Sequence, residues 1–168
     1  MQKSPLVAID TNFPLLLAQG NELAQEALHI ILERMRPVEI CVPPTVLGEL
    51  FYQAENSSER AQRTLATSAL QQIRSRWHFH PADLNATQEA VAAEAARKIL
   101  YAGLIPAAEV NDAKIIAESA VLNSVLIVSN DSHLLTVDHR RLGLLFRELD
   151  LPVPLIISPR EIVKKFYR

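Results

Sequence analysis

Four acidic residues stand where an α/β chain places its chemistry. Asp10 directly follows the apolar run Leu6–Ile9, and Asp131 follows the run Val125–Val128 by three residues, within Ser129-Asn130-Asp131. Glu49 and Asp112 each fall near the start of a helical segment. In a parallel sheet the site lies at the carboxyl ends of the strands, and the helices that run back start at that same edge. Four carboxylates from distant parts of the chain are therefore expected at one edge of one sheet. Two unit charges roughly 4 Å apart repel by about 4 kcal/mol at an effective dielectric of about 20. Such a cluster is relieved by protonation or by a divalent cation. Hard ions such as Mg²⁺ or Mn²⁺ prefer oxygen ligands, and a bound ion polarises a phosphate and lowers the pKa of a water nucleophile. Taken singly, each residue has a plainer role. Asp10, Thr11 and Asn12 suit the cap of a helix around Pro14, Glu49 and Asp112 suit the positive end of a helix, and Asp131 suits a turn. The set of four is what points to a metal.

The elements that must position them are legible as apolar periodicity. Leu6–Ile9 reads as a buried strand. A helix follows, with Leu23, Ala27, Ile31 and Met35 every fourth residue, Leu28 and Leu32 widening the stripe, and Pro37 as its stop. Val38–Val42 is a second strand, and Pro43-Pro44-Thr45 opens a helix through Leu47, Leu50 and Phe51. Asn56–Ile73 reads as one helix or two, Trp77–His80 as a short third strand closed by Pro81, and Thr87–Tyr101 as a helix ended by Gly103. A further helix is expected over Val110–Leu122, a short helix or an irregular connection over Asp138–Asp150, strands at Val125–Val128 and Leu155–Ile157, and a last helix over Arg160–Tyr167. Strands alternating with helices predict an α/β fold with a parallel sheet covered on both faces. Leu6–Ile9 and Val125–Val128 are continuously apolar, as strands buried on both faces are. One domain is expected over residues 1–168, with no internal repeat or linker.

Four segments together resemble the motifs of the PIN-domain family (VapC-like, PilT N-terminus-type ribonucleases). They are Val7-Ala8-Ile9-Asp10-Thr11-Asn12, Gly48-Glu49-Leu50-Phe51-Tyr52, Asn111-Asp112-Ala113-Lys114-Ile115-Ile116-Ala117 and Val128-Ser129-Asn130-Asp131-Ser132-His133-Leu134. The resemblance implies a three-layer α/β/α sandwich with a central sheet of four to five parallel strands in the order 3-2-1-4-5. It also implies a Mg²⁺- or Mn²⁺-dependent endoribonuclease. Carried over position by position, Asp10, Glu49, Asp112 and Asp131 are the catalytic metal ligands, with Thr11, Asn12 and Ser129 as supporting polar groups. Many small bacterial members are toxins of toxin–antitoxin pairs, and many form homodimers. A toxin would have a small antitoxin partner whose arginine or lysine enters the acidic cleft. His133 stands where a second acidic residue often follows the last motif. The alternative from another class is a catalytically silent PIN-like module that binds a partner protein.

Composition narrows the field further. The chain has 168 residues, 49% of them hydrophobic, and a formal net charge of −2, so bulk positive charge is not its means of meeting nucleic acid. A lone cysteine, Cys41, forms no internal disulfide and reads as a small buried strand residue. No apolar stretch reaches membrane-spanning length. Met1–Pro5 leads straight into the first strand without the apolar region of a secretory signal, so a cytoplasmic protein without a membrane partner is expected. His78 and His80 would share one face of a strand as half a zinc site, but no second pair of ligands accompanies them. The glycines form no phosphate loop, and there is no G-x-S-x-G elbow. A phosphatase of the haloacid-dehalogenase type would need Asp-x-Asp where Asp10-Thr11-Asn12 stands. Arg140 with Arg141, and Arg160, Lys164, Lys165 and Arg168, are basic groups suited to RNA phosphates or simply to water.

Overall fold

Leu6–Ile9 forms β1, the central strand, in a computed structural model that describes residues 4–166. Val7, Ala8 and Ile9 are fully buried, which is why the segment is apolar without alternation. Along the chain follow α1 (Asn12–Ala18), α2 (Glu22–Arg34), β2 (Glu39–Val42), α3 (Pro44–Asn56), α4 (Arg60–Ser75) and β3 (His80–Pro81). The second half contains α5 (Ala86–Tyr101), α6 (Val110–Val121), β4 (Ser124–Val128), α7 (Ser132–Leu135), α8 (His139–Arg147), β5 (Leu155–Ile157) and α9 (Pro159–Phe166). All the strand pairs are parallel, in the order β3-β2-β1-β4-β5. This is the expected α/β/α sandwich. On one side α2 packs on α9 and α1 touches both α2 and α4; in the other set α5 packs on α6 and α8; α3 joins the two by touching α4 and α6.

Local chemistry explains the element ends. Asn21 caps α2 by accepting from Ala24 N–H at 2.9 Å. Asn85 and Gln88 close a reciprocal capping box at the start of α5. Gly103, at φ +66°, ends α5 in the left-handed conformation that glycine adopts without strain. The long polar stretch after α3 is a second helix, α4, with the break at 57–59.

Three expectations need correction. The buried face of α2 is Ala24, Ala27, Leu28 and Ile31, while Leu23 and Leu32 lie at its margin, 37% and 36% exposed. The alanines permit close helix packing, so the stripe is turned by one position from the one the larger side chains suggest. The third strand is only His80–Pro81, because the chain before it is still closing α4: Trp77 N–H and Phe79 N–H donate to the Gln72 and Ile73 carbonyls, and His78 lies at φ 56°. His78 and His80 therefore do not share a strand face, and the half zinc site disappears. In β4, Val125 is exposed because the pairing with β1 slips there, Leu6 facing Ser124 and Val7 facing Leu126. Cys41 is buried in β2 as expected, and burial pushes its thiol up to about 11. Of the last helix and the basic tail, Tyr167 and Arg168 lie outside the described residues.

Candidate active site

The sheet edge is built by main chain that continues past the strands. Asp10 N–H donates to the Val128 carbonyl at 3.0 Å, and Ser129 N–H donates to the Ile157 carbonyl at 3.1 Å. This locks the first residue after β1 beside the first residue after β4. Their side chains meet there: Ser129 Oγ donates to Asp10 Oδ2 at 2.7 Å. Asn12 Nδ2 reaches the same oxygen at 3.2 Å, and Thr11 N–H donates to Asp10 Oδ1 at 2.6 Å. Asp10 is buried, and burial is the main reason its carboxyl is pushed up to about 6; the Glu49 and Asp131 charges add to this, while the Ser129 and Thr11 donors oppose it.

Glu49 arrives from α3. The Thr11 hydroxyl donates to its Oε2, and Asn111 Nδ2, from α6, donates to Oε1 at 2.8 Å. The helix-dipole explanation for Glu49 fails, because the first turn of α3 contains no acidic residue. The free N–H there is met from α6 instead. Glu118 accepts from Thr45 N–H at 3.0 Å and from Thr45 Oγ1 at 2.6 Å. Pro43 stands at the N-cap and offers no side-chain acceptor. Two rungs thus join α3 and α6, Asn111 to Glu49 and Glu118 to Thr45.

Asp112 sits in the first turn of α6. Its carboxyl is pushed up to about 7, first by burial and then by the charges of Asp131, Asp10, Glu109 and Glu49. Its Oδ2 is buried and has no hydrogen-bond partner among the described residues. Asp131 caps the short α7 by accepting from His133 N–H at 2.7 Å, while its own N–H donates to Ser129 Oγ at 2.9 Å. Ser129 thereby connects Asp10 to Asp131. The turn role considered for Asp131 is real, but it coexists with a place at the acidic edge.

All four expected carboxylates therefore come to one edge, where the charges of the others act on Asp10 and Asp112, and all three expected supporting residues touch Asp10, Glu49 or Asp131. Among the described residues, however, no three Asp, Glu, His or Cys side chains form a ready metal cage. The bonds explain why: in this arrangement Glu49 is held by Thr11 and Asn111, and Asp131 by His133. A bare buried carboxylate oxygen beside three more carboxylates nevertheless fits a hard cation, since neither water-free burial nor another anion satisfies it.

A model of the PIN domain matches residues 7–140, a span that includes all four carboxylates. The chain belongs to the PIN-domain family. The PIN match ends within α8, ahead of β5 and α9. Two solved structures were matched to the chain, of which the first shares its fold. VapBC2 from Rickettsia felis, bound to a DNA fragment from their promoter, contains a chain 18% identical, with a TM-score of 0.61 and coverage of 91% of this chain and 98% of that one. FitAcB from Neisseria gonorrhoeae contains one 12% identical, with a TM-score of 0.48 and coverage of 91% and 97%. No curated protein matches the chain.

Sequence reasoning missed three participants at this PIN edge. Asn111 was visible only as the neighbour of Asp112 in its motif. Glu109, one helical turn before Ala113, adds charge at Asp112 and stands 4.0 Å from His133 Nε2. His133 is half-buried beside that carboxylate. Glu118 gave no signal beyond being a carboxylate in an otherwise apolar helix face, which is itself an informative exception.

Proposed function

We propose that this PIN domain is a divalent-metal-dependent endoribonuclease that hydrolyses RNA phosphodiester bonds. The observation that carries the reading is the buried, unpartnered Oδ2 of Asp112 among Asp10, Glu49 and Asp131. Asp10, Glu49, Asp112 and Asp131 would hold Mg²⁺ or Mn²⁺. The ion, when bound, supplies charge for the phosphate oxygens and a water of lowered pKa. The chain's own residues do the positioning. Ser129, Thr11 and Asn12 fix both oxygens of Asp10. Thr11 and Asn111 hold Glu49 in reserve beside it. Fixed carboxylates make the site ready before substrate arrives.

Membership of the PIN family and the fold shared with a VapBC2 chain favour the toxin of a toxin–antitoxin pair as the biological setting, with a small antitoxin protein as partner, a homodimer as the working form and the cytoplasm as the location. No helix among the described residues is long and apolar enough to cross a membrane. The test is cleavage of a labelled, mixed RNA pool with Mn²⁺, with EDTA, and by Asp10→Asn. Cleavage requiring both metal and Asp10 is expected; activity in EDTA or undiminished activity in Asp10→Asn would contradict the reading.

A second reading has one observation in its favour. The absence of a ready three-ligand cage among the described residues suits a catalytically silent PIN-like interaction module. Thermal unfolding separates the two, since an ion that binds only the native state raises the melting temperature. A rise with millimolar Mn²⁺ is expected for the nuclease, and none for the module.

A further inference from the structure

Away from the carboxylates, α2 and α9 leave a cavity of about 140 Å³ against β4 and β5. Leu126 and Leu155, partners in the parallel pairing of those strands, line it together with Ile157 and with Ile162 of α9. Leu155 opens β5, Arg34 closes α2, and Lys165 lies in the last turn of α9. All three line the cavity, which puts its mouth at the amino ends of the strands, opposite the acidic edge. Leu155 is 48% exposed, so the chain leaves apolar surface open there.

Among the described residues that line this cavity, the charged side chains are Arg34 and Lys165, both cations. Both are exposed, so they stand where the cavity meets water. A helix end accounts for a cation in its last turn, and Lys165 also acts on the Glu161 carboxylate. Arg34 makes no ion pair among the described residues. Neither role accounts for an apolar chamber beneath the two charges. An enclosed apolar cavity of about 150 Å³ holds one benzene ring, and a guanidinium meets a carboxylate through two parallel hydrogen bonds. We infer that this cavity binds a small amphipathic carboxylate, one aromatic ring or short aliphatic chain lying in the chamber and the carboxylate meeting Arg34. Lys165 adds positive charge at the mouth. The site is separate from the acidic edge and does not depend on the ribonuclease reading.

The test is a methyl NMR titration of the full chain with phenylacetate and with phenethyl alcohol, its neutral counterpart of similar size. Phenylacetate is expected to move the Ile157 and Ile162 methyl signals saturably and to leave those of Ile115 and Ile116, in α6, in place. Phenethyl alcohol is expected to bind about tenfold more weakly, because it cannot form the charged pair. Arg34→Gln, a substitution at an exposed position that leaves the core intact, is expected to weaken phenylacetate binding about tenfold as well. Leu155→Trp, whose ring can enter the cavity from an exposed position, is expected to abolish binding while thermal unfolding shows a folded protein. No saturable movement in the parent overturns the site. Equal affinity for the alcohol, or phenylacetate binding unchanged in Arg34→Gln, overturns the carboxylate assignment. Binding unchanged in Leu155→Trp overturns the location. Movement of the same signals with protein concentration alone would make the cavity a contact between copies and overturn the inference.

Discussion

Burial does more than proximity to set the acidity of this edge. Asp10 is pushed up to about 6 and Asp112 to about 7, and for both the largest cause is loss of water. The sign of the consequence follows. An aspartate has a pKa near 3.9 when unfolded, so the metal-free native state binds more protons than the unfolded chain between roughly pH 4 and pH 7. Metal-free stability from these two groups is therefore greatest below about pH 4 and is lost as pH rises through about 6 to 7. Metal competes with those protons. The shift in melting temperature caused by Mn²⁺ should be small at pH 5 and large at pH 8, as thermal unfolding across that range would reveal. A shift that is equal at both ends would mean that Asp10 and Asp112 are not the ligands. The four carboxylates were legible in the sequence because each stands at a fixed offset from an apolar run or a helix start. Asn111 as a holder of Glu49 was not, since its bond exists only once α3 and α6 have been packed together.

Between elements, the pairing of α3 with α6 decides where half of the acidic edge stands. Glu118 meets both the N–H and the hydroxyl of Thr45 from inside the protein, and burial raises its carboxyl despite those donors. Removing it leaves two part-buried donors of α3 without that acceptor. Glu118→Ala should cost roughly 2 kcal/mol in urea unfolding, and Glu118→Gln, which keeps one oxygen acceptor, should cost less. If α3 shifts once released, the Asn111–Glu49 rung loosens too, and metal affinity should fall even in the fraction that remains folded. Most of the longer helices and four of the five strands were legible because they depend on neighbours in sequence, whereas the short α7 read only as a turn. The third strand was not legible. His78-Phe79-His80 alternates as a strand should, yet Trp77 and Phe79 complete the turn that closes α4. The tertiary fold also brought Ala24 inward beside the expected Ala27, Leu28 and Ile31 and left Leu23 and Leu32 at the margin of the stripe.

At the scale of the whole molecule, a parallel sheet buried between helices gives the edge its rigidity. Ile115, Ile116 and Ala117 of α6, with Val7 to Ile9 of β1 and Ile127 and Val128 of β4, belong to one continuous core. Ile116→Ala should destabilise by about 2 to 5 kcal/mol without changing the dependence of stability on urea. RNA cleavage per folded molecule should stay close to that of the parent, a loss distinct in kind from that of Asp112→Asn. The α/β class was readable from alternating segments alone, whereas the strand order was supplied by the family likeness, because parallel pairing joins residues far apart in sequence. The most direct test of the account is a calorimetric titration of Mn²⁺ at pH 8 into the parent protein and into Asp112→Asn. The account predicts saturable binding by the parent and at least tenfold weaker binding by the variant, with both fully folded. Equal binding by the two, or no binding by the parent, would contradict it.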